Sequence, residues 1–213
     1  MTAGLSSLSL RNFTGALASE APAPGGGSAA AAAGASGAAL LAMVVRLTLG
    51  KEKYKAVWDE LEPLLPKLHT NRERLLELID EDTNAYEAVV AARRLPKELR
   101  AEKAAREKAI EEATLLATTV PMQTAFFAHE SLKLAPAALE KGNPNAASDA
   151  WVAGLLLFSA TLGALANVRI NLGGVKDPEL NRGFTEEAAD FEKTAREHLE
   201  ILRALAKKRG LAS

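Results

Sequence analysis

Apolar positions along this chain recur at three- and four-residue intervals, and no convincing stretch alternates with period two. The spacing predicts helix almost throughout. A first helix runs from about Ser9 to Ser19, and a second from about Ser28 to Leu49, stopping at Gly50. A third segment opens near Lys51 and meets Pro63 and Pro66, where rings without an N–H predict a break or kink. A long helix covers about Lys67 to Leu95, ending at Pro96, and another about Lys97 to Leu139, kinked at Pro121 and broken before Pro136. Gly142-Asn143-Pro144-Asn145 predicts a turn. An apolar helix follows from about Ala146 to Leu172 and is stopped by Gly173-Gly174. Asp177-Pro178 opens a short connector, and Thr185 is expected to cap a last helix to about Lys208. The expected fold is all-α: one domain over residues 1–213, an antiparallel bundle of long, partly kinked helices.

Small residues say how the apolar helices pack. Ala30, Gly34 and Ala38 lie at i, i+4 and i+8, as do Ala33, Gly37 and Leu41. Such faces let two helix backbones approach closely. Gly154, Ala160, Gly163, Ala164 and Ala166 give similar room in the late apolar helix. A buried helix–helix seam follows, and a homodimer is expected.

Composition narrows the partners. The 213 residues suffice for a real core. With 26 basic and 27 acidic residues the net charge is -1, which gives no global attraction to nucleic acid or to a membrane surface. The absence of cysteine excludes disulfides, thiolate nucleophiles and cysteine–zinc sites. The opening Met1-Thr2-Ala3-Gly4-Leu5 carries neither a basic region nor an apolar one, so a cytoplasmic location is expected. Ala29–Val45 and Trp151–Ala166 fall short of the roughly 20 apolar residues of a membrane span and read as buried central helices. His69, His129 and His198 follow no metal-ligand spacing; they read as surface or packing residues, and no metal site is expected.

The chemistry concentrates at a few places. Pro22-Ala23-Pro24-Gly25-Gly26-Gly27-Ser28 leads into an alanine run, with Ser28 a suitable N-cap and three glycines that free the backbone for unusual dihedrals and close contact. A glycine loop at a helix N-terminus offers unpaired N–H groups to an anion or a polar ligand edge. It is no Walker loop and no dinucleotide fingerprint, because neither Gly-Lys-Ser/Thr nor a preceding strand is present. On the helix after Pro66, Asp82 falls on the stripe of Leu75, Ile79, Tyr86 and Val89. Burial would raise its pKa, which tunes a carboxyl for acid–base work; the alternative is a structural carboxyl bonded to Tyr86 or to a neighbouring helix. Asp149, Ala153, Leu156, Ala160, Gly163, Asn167 and Asn171 share one face of the late helix. The two amides read a heterocycle edge or bond another helix. Asp149, behind Ser148, also suits a helix N-terminus.

The ordered set of these pieces resembles the cyclodeaminase/cyclohydrolase family of folate enzymes. The matching segments are Pro24-Gly25-Gly26-Gly27-Ser28, Met43-Val44, Leu47-Thr48-Leu49-Gly50-Lys51, Asp82 with Ala85-Tyr86, Leu95-Pro96 and Val120-Pro121. Gly142-Asn143, Ser148-Asp149, Asn167-Val168 and Ile170-Asn171-Leu172 complete it, over about residues 5 to 175. The resemblance implies an all-helical homodimer acting on a tetrahydrofolate derivative with no further cofactor, and working alone or beside a separate formiminotransferase. It points to Asp82 as the catalytic residue. Gly25, Gly26, Gly27, Ser28, Tyr86, Asn143, Ser148, Asp149, Asn167 and Asn171 are the substrate-binding candidates. Arg46, Lys51, Lys53, Arg93 or Arg94 are candidates for a glutamate tail. The first expectation is formiminotetrahydrofolate cyclodeaminase, converting 5-formiminotetrahydrofolate to 5,10-methenyltetrahydrofolate and ammonia. The alternatives are methenyltetrahydrofolate cyclohydrolase, or a non-catalytic helical folate-binding or scaffold protein.

Overall fold

A computed structural model describes residues 4–212. Among the described residues the regular elements are all helical. They are α1 (Leu10–Leu17), α2 (Gly26–Leu49), α3 (Trp58–Leu61), α4 (Leu64–Arg93), α5 (Arg100–Leu132), α6 (Ala135–Lys141), α7 (Ala147–Leu172) and α8 (Pro178–Lys208). Short 3₁₀ turns cover Leu5–Ser7, Glu52–Val57 and Pro144–Ala146.

Four long helices form a ring in which α2 packs on α4 and α7, and α5 packs on the same two from the other side. Facing residues give the directions. Gly34 of α2 lies against Leu75 of α4 and Ala160 of α7, while Gly26 lies against Asn167, so α2 runs antiparallel to both neighbours. The α8 helix covers α7, with Leu202 against Gly154. Leu41, Leu68, Leu75, Leu78, Leu132, Leu157, Leu165 and Leu202 are fully buried, each worth about 1.5–3 kcal/mol of transfer free energy.

The small-residue faces are consumed inside the chain. A Cβ on Gly37 would lie 2.7 Å from Leu157 Cγ and 3.0 Å from the Ala153 carbonyl oxygen; one on Gly154 would lie 2.1 Å from Leu202 Cδ2. These contacts hold α2 on α7 and α7 on α8 within one protomer. What α2 and α7 leave outside is a second apolar set: Met43, Leu47, Val152, Leu155 and Ile170 are exposed.

Several boundaries differ from the sequence expectation. Ser28 is not an N-cap: α2 opens at Gly26 with Gly25 as its cap, and Ser28 is a buried residue of its first turn. Nor do the loop glycines take positive φ; among the described residues only Gly210 does, and of the three loop glycines it is Gly27 whose place requires close approach. Pro66 is the third residue of α4, where an N–H has no intrahelical acceptor, and it breaks nothing. Pro121 lies inside a continuous α5, while the break expected before Pro136 is present, at Lys133–Leu134. The final helix begins at Pro178. Asp177 caps it, its Oδ1 accepting from the Glu179 and Leu180 N–H groups at 2.9 and 3.1 Å. Thr185 sits within that helix, its hydroxyl donating back to the Asn181 carbonyl.

The helical segments that contain the apolar stretches Ala29–Val45 and Trp151–Ala166 extend beyond them, and Gly26–Leu49 and Pro144–Leu172 are long and apolar enough to cross a membrane. In the fold they are central, with 61% and 44% of their apolar windows buried against the rest of the chain.

Candidate active site around Asp82

Antiparallel packing brings the start of α2 against the second half of α4. Asp82 reaches across, and its carboxylate occupies the space a side chain at position 27 would need: a Cβ on Gly27 would lie 2.0 Å from Asp82 Oδ1. Only glycine allows this approach. The Ser28 N–H donates to Asp82 Oδ2 at 2.8 Å, and the Ser28 hydroxyl reaches the same oxygen at 3.1 Å. A carboxylate from α4 therefore caps the N-terminus of α2, where the helix dipole favours negative charge. The N–H groups of Gly26 and Gly27 have no acceptor among the described residues and stand beside the carboxyl at the helix start.

Asp82 is half-buried, and burial pushes its pKa above the ordinary carboxyl value. The hydrogen bonds from the Ser28 hydroxyl and N–H pull the other way. Burial is the larger effect, so the group holds its proton more readily than a surface aspartate.

The cavity on which Asp82 opens has a volume of about 420 Å³. Asp82, Tyr86, Val89 and Arg93 line it from α4 at spacings of four, three and four, which is one face of a helix. Gly25, Gly26 and Gly27 form its floor, and Asn167, Ile170 and Asn171 of α7 with Ala117 of α5 form the opposite wall. Hollows of about 580 and 790 Å³ lie elsewhere, beside Asn71 and Lys133 and beside Trp151 and Arg203. Of these three, the Asp82 cavity joins a half-buried carboxyl to a helix N-terminus.

Both amides of that wall are tied by their nitrogens. Asn167 Nδ2 donates to the Gly163 carbonyl at 2.8 Å, and Asn171 Nδ2 to the Ala117 carbonyl at 2.6 Å. A carbonyl only accepts, so each amide is fixed with its nitrogen toward the backbone.

The sequence candidates divide into three groups. Gly25, Gly26, Gly27, Asp82, Tyr86, Asn167 and Asn171 meet at the cavity. Ser28 stands behind it, fully buried, holding the carboxyl rather than lining the space. Tyr86 is 40% exposed and belongs to the cavity wall, not to the core stripe. Asn143, Ser148 and Asp149 are not brought to Asp82 within the chain. They sit at the other end of α2, where the Asn143 N–H donates to Thr48 Oγ1 and the Tyr54 hydroxyl to Asn143 Oδ1. From Ser28 to Thr48 the helix rise alone separates them by about 30 Å. Asn143 tightens the turn before α7 by accepting from the Asn145 N–H, Ser148 is exposed, and Asp149 lies in the first turn of α7.

Sequence reasoning passed over Val89 and Ala117, and the four-three-four spacing from Asp82 was the signal for Val89. His129 and His198, distant in sequence, pack together with ring centroids 5.9 Å apart, outside this cavity.

Comparison with known proteins identifies the family. The family model described as formiminotransferase-cyclodeaminase matches residues 9–190. A methenyltetrahydrofolate cyclohydrolase of Methylorubrum extorquens is 44% identical over 178 residues, covering 84% of each chain. A formimidoyltransferase-cyclodeaminase of Sus scrofa is 37% identical over 171 residues, 79% of this chain; the match spans only 31% of that longer protein. The crystal structure of a formiminotetrahydrofolate cyclodeaminase from Thermotoga maritima superposes with a TM-score of 0.85 at 27% identity, over 95% of this chain and 97% of the other. Matched in sequence across most of its length and in fold across nearly all of it, the chain belongs to the formiminotransferase-cyclodeaminase family and is an enzyme of its cyclodeaminase or cyclohydrolase kind.

Proposed function

We propose that the chain acts on a reduced folate carrying a one-carbon unit, that Asp82 is its proton-transfer residue, and that its reaction is hydrolysis of 5,10-methenyltetrahydrofolate to the 10-formyl form. The observation that carries the site is the carboxyl of Asp82, raised by burial and held at the α2 N-terminus on the floor of a cavity. Sequence identity favours the hydrolytic reaction: the cyclohydrolase relative is 44% identical, against 27% for the Thermotoga cyclodeaminase. This reverses the order in which the sequence alone ranked the two reactions.

In this reading water attacks the methenyl carbon between N5 and N10, and Asp82 takes one proton from it. The carbon–N5 bond then breaks, Asp82 returns that proton to N5, and the hydroxyl proton leaves to solvent as the formyl carbonyl forms. The same carboxyl serves cyclodeamination. There N10 attacks the carbon of the protonated formimino group and gives its proton to Asp82, which passes it to the resulting amino nitrogen; the bond from that nitrogen to carbon breaks, ammonia leaves and the 5,10-methenyl cation forms. Both reactions place one acid–base group at a carbon held between two nitrogens. The Thermotoga likeness supports this second reading. Arg93, at the far end of the α4 face, is the cavity's cation and suits the carboxylates of a glutamate tail. A homodimer is proposed through the outer faces of α2 and α7, where Met43, Leu47, Val152 and Leu155 are exposed.

The test offers purified protein 5,10-methenyltetrahydrofolate and, separately, 5-formiminotetrahydrofolate, following the methenyl absorbance. Loss in the first arm above the uncatalysed rate supports the cyclohydrolase; appearance in the second supports the cyclodeaminase. Neither activity, together with no saturable binding of 5-formyltetrahydrofolate, would leave the scaffold alternative standing.

A further inference from the structure

We propose that Pro121 is a positioning residue for the ligand cavity, acting through the Asn171 amide. The inference rests on the folate reading only for the identity of the ligand; its structural half stands without it.

Pro121 is buried in the middle of α5, which continues on both sides of it. An interior proline has no N–H, so it cannot donate to the carbonyl four residues earlier, and its ring pushes that carbonyl aside. The carbonyl in question belongs to Ala117. It is not left unpaired, which would be costly where water is scarce. Asn171, from α7, donates to it at 2.6 Å. Ala117 and Asn171 both line the Asp82 cavity. A proline that looks like a helix defect thus supplies the acceptor that orients a side chain of the site.

The orientation has a chemical consequence. With Nδ2 committed to Ala117, the oxygen of Asn171 is the end without a partner among the described residues. Asn167 is held the same way by the Gly163 carbonyl, again through Nδ2. Both amides of the wall therefore have acceptor oxygens to offer, and Asp82 adds a third acceptor when ionised. A ligand ring rich in N–H donors fits this wall, and one presenting only acceptors does not. A reduced pterin has such a donor edge.

Three variants test the proposal: Pro121→Ala, Asn171→Ala and the double variant. Pro121→Val is added because it restores the N–H while keeping apolar bulk. The first readout needs no ligand. In the wild type one Asn171 side-chain N–H, followed by ¹⁵N NMR, should be shifted downfield and protected from exchange. In Pro121→Ala and Pro121→Val that signature should be lost, because the residue 121 N–H now competes for Ala117. An unchanged Asn171 signal in both would overturn the proposal, whatever the protein binds.

The second readout is affinity for 5-formyltetrahydrofolate. Pro121→Ala should weaken it about tenfold, the scale of one hydrogen bond lost from a site, and Asn171→Ala should weaken it by at least as much. Adding Pro121→Ala to Asn171→Ala should cost nothing further, since residues that act as a unit are not additive. Additive losses would mean that Pro121 acts by packing and would refute the positioning role. If wild-type protein does not bind the folate while the NMR result holds, the ligand assignment fails and the positioning of Asn171 stands.

Discussion

Ser28 Oγ lies 2.8 Å from the Ile79 carbonyl oxygen and 3.1 Å from Asp82 Oδ2, with one hydroxyl proton to serve both. When Asp82 is ionised, the hydroxyl turns to it. When Asp82 is protonated, the hydroxyl turns to Ile79 and offers its own oxygen to the acid. A hydroxyl so placed can serve either protonation state of the carboxyl that we propose transfers the proton, beside a Ser28 N–H that donates to Oδ2 at 2.8 Å.

Asp82→Asn should lower turnover by about 10²-fold or more, the range for removing an acid–base group. Folate affinity should change far less, because the amide oxygen still accepts from the Ser28 N–H. The thermal midpoint at neutral pH should hold or rise. A pKa raised by folding contributes stability at low pH that is lost as pH rises through the folded value, so the ionised form is the costly one. Steady-state kinetics and melts on one preparation check both; full turnover would remove Asp82 from the chemistry.

Ser28→Ala removes a hydrogen bond that favours the carboxylate. The Asp82 pKa should then climb further. The limb of the pH–rate profile that reports ionisation of Asp82 should move to higher pH, with activity recoverable by raising the pH. A profile of unchanged midpoint would show that the hydroxyl does not tune the acid.

Gly27 and Gly26 are neighbours with different constraints. Gly27→Ala places a methyl 2.0 Å from Asp82 Oδ1 and must displace the carboxylate, so turnover should fall about as far as in Asp82→Asn. At Gly26 the nearest atom to an added Cβ is Asn167 Nδ2 at 3.4 Å, and Gly26→Ala should stay within about threefold of wild type. Gly26→Val, with two further methyl groups beside Asn167, should weaken folate binding and leave the melt unchanged. Equal effects of Gly26→Ala and Gly27→Ala on turnover would contradict this geometry.

His129 and His198 predict an acid-sensitive fold. Burial lowers both pKa values. Lys133 acts on both in the same direction, as does His198 on His129. Glu130 opposes the shift at both, with Asp190 at His129 and Glu197 at His198. The unfolded chain takes up protons near the ordinary histidine value of about 6.5 while the folded rings stay neutral, so stability falls as pH drops below that value toward the folded ones. Melting temperature should decline from about pH 8 to about pH 5, and His129→Phe should flatten that slope. A slope unaffected by the substitution would place the acid sensitivity elsewhere.

Light scattering should report a mass near twice 22.5 kDa. Leu47→Asp, on the exposed side of α2, should shift the protein toward monomer with helicity intact. A wild-type monomer at every concentration, fully active, would refute the dimer.

Much of the site was legible because its residues sit at helical spacing: Asp82 and Tyr86 one turn apart, Asn167 and Asn171 likewise. The proline and glycine positions misled wherever a neighbour changed their meaning. Pro66 falls in a first turn, where no N–H is needed, and Pro121 is accommodated because α7 supplies a donor for the carbonyl it strands. Asn143, Ser148 and Asp149 belong to the same ordered motifs as Asp82, but motif order carries no distance, and the length of α2 keeps them apart.

By itself the sequence determined the helical class, most long-helix boundaries and the inward placement of Asp82, because periodicity and side-chain volume act over a few residues. Which helix meets which was decided by tertiary structure alone. The antiparallel seating of α2 on α4 makes Gly27 a space for a carboxylate and Ser28 its partner instead of a cap. That seating arises from contacts more than fifty residues apart in sequence, where local propensity has no reach and packing of small residues against leucines sets the register.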